Sequence, residues 1–293
     1  MFSTFLLICW PCHVDGRPPQ SYTQLPKRVE RTAKVMLLSS ALLPPPASTV
    51  YFSQCGQDWI VERLFAFNKR NFYVDLAAND AVMLSNTYRL DRIDGWRGIC
   101  IEANPQYWQG LSVHRSCQLA GVVVTDRDDQ FATFSSGNGA FGGIVGAQFD
   151  NKHASAGGKP LATLSLHTIL QQLDAPRVIQ YLNLDVEGAE WLVMHNFSFR
   201  SYRFQAIGVE RPSAALRALF IENRYVRLQP PCCDEFWVHR DFAKKRFGGD
   251  DSASLPHLRE LFRGFTGKMC GLDFDDGFID DRLAADVPRA NQS

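Results

Sequence analysis

Two carboxylates close successive short apolar runs in the first half of the 293-residue chain. Asp75 lies near the end of the run that begins at residue 71, and Glu102 ends the run that begins at residue 98. In an open α/β sheet, ligands bind beyond the carboxyl ends of the strands, near the point where the strand order reverses. A carboxylate there attracts a cation, and one after the second strand can accept hydrogen bonds from both hydroxyls of a ribose. The pair predicts a site for a positively charged ligand that carries a ribose.

The turn after the first run distinguishes between two classes of nucleotide ligand. It lacks the Gly-x-Gly-x-x-Gly pattern that lets a backbone approach a pyrophosphate, and Asp75 would repel that group. An NAD-dependent oxidoreductase is therefore the disfavoured alternative. S-adenosylmethionine has an ammonium, a sulfonium and no phosphate, so its charge complements Asp75 and Glu102. We expect S-adenosylmethionine as the cofactor.

A second acidic motif, at residues 183–190, follows the fourth apolar run. Asp185 and Glu187 alternate along an extended chain and share one face, while Gly188 permits a tight turn into a helix. We expect Asp185 or Glu187 to act as general base or orienter for an acceptor hydroxyl. Two alternatives stay open: both carboxylates cap the helix and hold the loop, or they bind a divalent metal, although the favoured prediction includes no metal. Glu210-Arg211, after the fifth run, either lines the acceptor side or forms an internal ion pair.

The elements that position these residues follow from the alternation of apolar and amphipathic segments. The predicted strands are 71–77, 98–102, 119–124, 178–186, 204–209, 225–228 and 235–239, and the predicted helices are 84–90, 105–114, 190–197 and 213–223. Strands that alternate with helices imply crossover connections and a parallel sheet covered on both faces. The last two strands are too close together for a crossover and suit an antiparallel pair. The pattern predicts a doubly wound α/β domain with a mostly parallel, seven-stranded sheet and an antiparallel closing strand.

Composition divides the chain into three parts. We expect a leader over 1–50 that is disordered or serves targeting, a domain over 51–247, and a flexible, acidic tail over 248–293, with proline-rich and glycine-rich stretches at the two boundaries. The compartment stays open between the cytoplasm and a secretory or organellar location. Within the domain, residues 135–158 are rich in glycine, serine and asparagine and predict a long surface loop that could close over the site.

Charge and cysteine content restrict the partners. Lys+Arg and Asp+Glu number 31 each, so no long-range field favours nucleic acid. No run downstream of the leader reaches the ~20 apolar residues of a membrane helix. Most of the eight cysteines are expected to be buried thiols, with Cys100 and Cys117 acting as small hydrophobes in predicted strands. The expected partner is a small molecule, glycan or lipid, and the oligomeric state stays open.

Five motifs in register resemble those of the FkbM family of methyltransferases over roughly residues 51–238. The motifs are Ser53-Gln54-Cys55-Gly56-Gln57-Asp58, Val74-Asp75-Leu76-Ala77-Ala78-Asn79-Asp80, Leu84-Ser85-Asn86-Thr87, Gly95-Trp96-Arg97-Gly98 with Ile101-Glu102-Ala103-Asn104-Pro105, and Leu184-Asp185-Val186-Glu187-Gly188-Ala189-Glu190. The resemblance implies a class I fold, S-adenosylmethionine as donor and, usually, transfer to an oxygen. The predicted donor-binding residues are Asp75, Ala77, Asn79, Glu102, Asn104, Gly121 and Asp126.

The sequence departs from the family pattern in the first of these turns. Where the family usually has Asp-x-Gly-Ala-Asn-x-Gly, this chain has alanine at Ala77 and Ala81. Each alanine adds a Cβ atom where the backbone passes close to the donor or needs a positive φ. The alternative function is therefore a catalytically silent, methyltransferase-like domain that serves binding or interaction.

Overall fold

The computed structural model describes residues 34–36, 51–53, 56–65, 70–136, 141–151, 158–228 and 234–247, the first of these segments by its backbone alone. The predicted acidic tail, the proline-rich boundary and the loop segments 137–140 and 152–157 lie outside these residues. None of the helices in the described ranges has the length and apolar character that a membrane span requires.

The main sheet contains eight strands, numbered here along the chain. In spatial order they are β1 (Lys34–Met36), β4 (Gln118–Gly121), β3 (Arg97–Ile101), β2 (Phe72–Leu76), β9 (Val178–Leu184), β10 (Arg203–Glu210), β12 (Asp234–His239) and β11 (Tyr225–Leu228). Strands β4, β3, β2, β9 and β10 are parallel neighbours, whereas β12 is antiparallel to both β10 and β11. The strand order reverses between β2 and β9. This is the switch point at which α/β sheets bind their ligands.

The seven predicted strands are all present in this mixed sheet. The eighth strand, β1, was not predicted: it pairs antiparallel with β4 and lies inside the segment 1–50 that the sequence suggests is a leader. Apolar runs predict that a strand exists, but they do not identify the neighbour with which it pairs. The edge strand therefore became visible only in the folded chain.

Two hydrophobic cores cover the two faces of the main sheet. Along β2, Val74 and Leu76 belong to one core while Tyr73 belongs to the other, and all three are buried. The helices are α1 (Gln57–Phe65), α2 (Tyr88–Arg92), α3 (Trp108–His114), α4 (Leu166–Gln172), α5 (Glu190–Met194), α6 (Ala214–Glu222) and α7 (Arg240–Phe247), with a 3₁₀ turn at Pro105–Tyr107. Burial on both faces explains why the central strands are continuous apolar runs rather than alternating ones.

A second, four-stranded sheet corrects two predictions. Its order is β5 (Val123–Thr125), β8 (Lys159–Ser165), β6 (Phe131–Ser135) and β7 (Gly143–Ile144). The predicted strand 119–124 is two strands, because its last residues leave the main sheet and pair with β8. The predicted surface loop 135–158 also contains β7, which pairs with β6, and buried Phe149. A short strand of glycine and isoleucine has too little periodicity to be recognised in a glycine-rich stretch.

A disulfide replaces the two free thiols that we expected at Cys100 and Cys117. The bond joins β3 to the residue before β4, across 17 positions of sequence, and both cysteines are buried. Because β3 and β4 are adjacent and parallel, with Cys100 in register with Leu119 two residues beyond Cys117, the Cα atoms of the two cysteines lie 5.8 Å apart. Sequence spacing without the strand order does not reveal this proximity.

Candidate functional site

Strained backbone marks the carboxyl ends of the strands beside the switch point. Five of the non-glycine residues with positive φ follow β2, β9 or β10: Ala77 (64°), Asn79 (52°), Leu84 (57°), Glu187 (53°) and Arg211 (36°). Such conformations are unfavourable for residues with a Cβ atom and concentrate at functional sites. Their grouping identifies this edge of the sheet as the candidate active site.

Glu102 is the centre of the first half of the site. Its two carboxylate oxygens accept hydrogen bonds from the backbone N–H of Asn79, at 2.8 Å, and of Asn104, at 2.6 Å. Burial raises the pKa of Glu102 to about 7, although these N–H groups favour its charged form. The charge of Asp75 also raises this pKa, which shows that the two carboxylates predicted to converge do lie within electrostatic reach of each other.

Asn104 carries a polar atom that is suited to a ligand. Its Oδ1 accepts a hydrogen bond from the backbone N–H of Gln106, at 3.2 Å, which starts the 3₁₀ turn. Its Nδ2 is buried and has no hydrogen-bond partner among the described residues. An unsatisfied buried donor costs about 1–3 kcal/mol. A ligand with acceptor atoms, such as an adenosyl group, would satisfy it.

Trp108 and Gly121 form a wall beside Glu102. The indole Nε1 of Trp108 donates to the backbone carbonyl of Glu102 at 2.8 Å. The ring packs over Gly121 so closely that a Cβ atom at that position would lie 2.5 Å from Cζ2 of the tryptophan. Gly121 therefore belongs to the same region as Glu102, as predicted from sequence, whereas Trp108 was missed there.

Asp75 lies at the base of the site within an internal network. Its carboxylate accepts hydrogen bonds from the hydroxyl of Thr87 and, at 2.9 Å, from Nδ2 of Asn183, and it lies 3.7 Å from the guanidinium of Arg115. All of these groups are buried. Its predicted contact with the donor stays a prediction, because each partner in this network belongs to the protein.

The two alanines that replace the family glycines differ in conformation. Ala77 has a φ of 64°, so the predicted need for a left-handed residue is present at this position. Ala81 is buried and is absent from the residues with positive φ. The departure from the family pattern therefore strains the backbone at one position and only adds volume at the other.

We expect Ala77→Gly to stabilise the protein by roughly 0.5–1 kcal/mol, because relief of left-handed strain exceeds the added entropy of the unfolded chain. Urea denaturation measures the change. The matched control is Ala78→Gly, since Ala78 is buried without a positive φ. We expect the control to lose about 1 kcal/mol. Equal destabilisation by both changes would contradict the strain argument.

Asp126 lies in a different groove from Glu102. Its carboxylate contacts Nδ2 of Asn196 at 3.3 Å and Nε2 of His195 at 3.5 Å. It also pairs with the exposed Arg127. These contacts place Asp126 beside the end of α5, in a groove of about 460 Å³ that also contains Asp128 and His167. The prediction that it binds the donor therefore receives no support from its position.

A cluster of carboxylates forms the second half of the site, after β9 and β10. Asp185 hydrogen-bonds Glu210, and burial together with the charge of Glu210 raises the pKa of Asp185 well above its usual range. Burial and the charge of Glu210 raise the pKa of half-buried Glu187 to about 7, although Arg211 opposes this shift. Burial therefore favours the protonated form of Asp185, whereas the pKa of Glu187 lies close to neutral pH.

Arg211 is the cation of this cluster. Carboxylate oxygens of Asp150, Glu187 and Glu210 lie within 4.8 Å of one another. The guanidinium lies 2.7 Å from Asp150, 3.0 Å from Glu210 and 3.6 Å from Glu187, so it supplies the positive charge that three converging acids need. This geometry favours the ion pair that we considered for Glu210-Arg211 over a metal on these carboxylates.

The capping role that we considered for Asp185 and Glu187 belongs to another residue. The Glu190 carboxylate accepts hydrogen bonds from the backbone N–H groups of Val186, at 3.2 Å, and Gly188, at 3.1 Å. Glu190 thereby holds the turn before α5. Asp185 and Glu187 take no part in this cap and instead contact Glu210 and Arg211, respectively.

Comparison with known proteins supports the inference from geometry. The model of the methyltransferase FkbM domain matches residues 75–225, more than half of the chain. The chain belongs to the FkbM methyltransferase family. Neither the curated proteins nor the solved structures contain a significant match. The matched segment of this FkbM domain includes both halves of the site, from Glu102 to Arg211.

Two residues of the FkbM site gave no usable signal in the sequence. Asp150 lies in the glycine-rich stretch, and its backbone N–H donates to the carbonyl of Glu187 at 3.2 Å only because that stretch folds back over β9. Trp108 lies only six positions after Glu102, but that spacing does not indicate that its indole Nε1 donates to the Glu102 carbonyl. Both are contacts between distant or differently folded segments, which spacing alone does not predict.

Proposed function

We propose that this FkbM domain transfers a methyl group from S-adenosylmethionine to a hydroxyl oxygen of a small molecule, glycan or lipid. The observation that carries the proposal is that two chemically different groups of residues, here called the donor half and the acceptor half, lie on the two sides of the switch point. Glu102 with Asn104 suits a ribose and a base, and the carboxylates after β9 and β10 suit a hydroxyl that must lose a proton. Glu102 follows β3, and the carboxylate cluster follows β9 and β10, with β2 alone between β3 and β9 in the sheet.

In the donor half, the residues already described bind the nucleoside. The Glu102 carboxylate accepts hydrogen bonds from the ribose hydroxyls through lone pairs that Asn79 and Asn104 leave unused. Nδ2 of Asn104 donates to the adenosyl group, and Trp108 with Gly121 lines the base. The backbone turn at Ala77 and Asn79 approaches the methionine part.

In the acceptor half, Glu187 is the general base. S-adenosylmethionine, when bound, supplies an electrophilic methyl carbon. Glu187 accepts the hydroxyl proton, and its pKa of about 7 suits proton transfer at neutral pH. Asp185 hydrogen-bonds Glu210 and forms the wall of the site, while Arg211, 3.6 Å from Glu187, orients that carboxylate. Positioning of the nucleophile in line would contribute about 7–11 kcal/mol in favourable cases.

Isothermal titration with S-adenosylmethionine tests the donor half directly. We expect wild-type protein to bind this ligand and not NADH. Glu102→Gln should weaken binding of S-adenosylmethionine by about 10- to 100-fold. The glutamine amide turns one N–H group toward a backbone N–H, and the site loses a charged acceptor. Circular dichroism and thermal unfolding check that the variant is folded.

Glu222→Gln is the matched control for the same chemical change. Glu222 is exposed at the end of α6, so the control should bind S-adenosylmethionine like wild type. If wild-type protein binds no S-adenosylmethionine, the catalytically silent alternative replaces our proposal. Binding of NADH alone would indicate the oxidoreductase instead.

A further inference from the structure

Asn86 presents an unsatisfied oxygen at the switch point. The residue is buried, and its Oδ1 has no hydrogen-bond partner in the part of the chain that the structure describes. Its Nδ2 donates at 2.9 Å to Oδ1 of Asn183, a residue of β9 that stands opposite Asp75 of β2. Asn86 therefore lies beside the β2–β9 pair, where the strand order reverses and where this class of sheet binds its ligands.

The orientation of the Asn86 amide is fixed by a chain of hydrogen bonds that begins at Asp75. An ionised carboxylate only accepts, so Asn183 must turn its Nδ2 toward Asp75. Oδ1 of Asn183 then faces Asn86 and requires the Nδ2 of Asn86 as donor. The atom left over is Oδ1 of Asn86, so the relay can offer a ligand an acceptor but no donor.

The charge behind this relay favours a cation. Arg115 pairs with two carboxylates, Asp91 at 2.8 Å and Asp75 at 3.7 Å, and all three side chains are buried. Two carboxylates thus face one guanidinium in this buried group. A buried excess of negative charge attracts a cationic group placed near it. Among groups that donate hydrogen bonds, an ammonium therefore suits this position better than a neutral hydroxyl.

We infer that Asn86 is a specificity-determining residue for the methyl donor, and that its Oδ1 accepts a hydrogen bond from the α-ammonium group of the methionine part. This inference rests on the proposed function, because it assumes that S-adenosylmethionine is the donor. Asn183 and Asp75 act as positioning residues, since they orient Asn86 and belong to the relay rather than to the contact itself.

The experiment compares S-adenosylhomocysteine with its deamino analogue, in which hydrogen replaces the amino group. Wild-type protein should bind the deamino analogue about 10- to 100-fold more weakly, the ratio expected from loss of a charged hydrogen bond. In Asn86→Leu, whose side chain is similar in size and has no acceptor, both ligands should bind with the same weak affinity. Isothermal titration gives all four dissociation constants.

Each outcome bears on a different statement. If Asn86→Leu lowers the affinity for both ligands by the same factor, so that the ratio of their dissociation constants is unchanged, the inference is wrong. Asn86 would then bind a buried water or an acceptor hydroxyl. If wild-type protein binds neither ligand, the proposed function fails first. If Asn86→Leu does not fold, Asn86→Ser removes the same amide oxygen and leaves a smaller polar side chain. The ratio of the two dissociation constants is then interpreted in the same way. Thermal unfolding identifies that case.

Discussion

Replacement of Glu187 with glutamine is expected to lower the rate of methyl transfer by about 10²- to 10⁴-fold, the usual contribution of general-base catalysis. Glutamine preserves the shape of the side chain but cannot accept the proton of an acceptor hydroxyl. S-adenosylmethionine affinity should stay close to wild type, because the donor half of the site is built on Glu102 and Asn104 after another strand. The measurement is the initial rate of label transfer from methyl-labelled S-adenosylmethionine into the acceptor fraction of a cell extract.

The pH dependence of the same reaction gives a second readout. Glu187 must be ionised to act as base, and its raised pKa of about 7 means that the ionised fraction grows as pH rises through 7. Activity of wild-type protein should therefore increase over this range and level off above it. The activity of Glu187→Gln should not show this rise between acidic and neutral pH. An unchanged rate in the variant, or a flat profile in wild type, would remove Glu187 from the base role.

The other carboxylate of the pair should behave differently. Asp185 hydrogen-bonds Glu210, and burial raises the pKa of Asp185 well above its usual range, so Asp185→Asn, whose amide can donate to Glu210, preserves that hydrogen bond. We expect a much smaller loss of rate than for Glu187→Gln. Exposed Glu222→Gln controls for the loss of one carboxylate anywhere on the molecule. If Asp185→Asn proved the more damaging change, the two roles would have to be exchanged.

Reduction of the Cys100–Cys117 disulfide is expected to lower the free energy of unfolding by about 3 kcal/mol. The cross-link closes a loop of 17 positions, and a loop of this length restricts the unfolded chain by about that amount. Urea denaturation of wild-type protein with and without a thiol reductant measures the effect. The packing of the folded state is nearly the same in both samples, so the comparison isolates the cross-link.

The double variant Cys100→Ala/Cys117→Ala is the control for this measurement. It should be insensitive to the reductant, and any remaining response would come from other cysteines of the chain. It should also be less stable than reduced wild type, because both sulfur atoms fill buried space. Alkylation of both thiols in unreduced, unfolded protein would show that the bond is absent and would contradict the prediction.

The sequence by itself determined the strands of the domain and the polar residues at their ends. Asp75, Glu102, Asp185 and Glu187 could be found because the central parallel strands are mainly apolar, so that acidic residues at or near the end of each run mark the strand ends. The family pattern likewise marked Ala77 as a position of close approach to the donor or of positive φ, and the backbone has the positive φ there; the donor contact of Gly121 stays a prediction. These features are local: each depends on a few consecutive residues.

Only the tertiary structure decided which of these residues meet and in what chemical state. Pairing of β2 with β9 brings Asn183 to Asp75 and leaves Asn86 with a free oxygen, and adjacency of β3 and β4 joins Cys100 to Cys117. The difference between Asp185 and Glu187 likewise arises from burial and from Glu210 on the neighbouring strand. Contacts between strands depend on sheet order, and the electrostatics of a carboxylate depend on everything that excludes water from it, so neither is encoded in the spacing of residues along the chain.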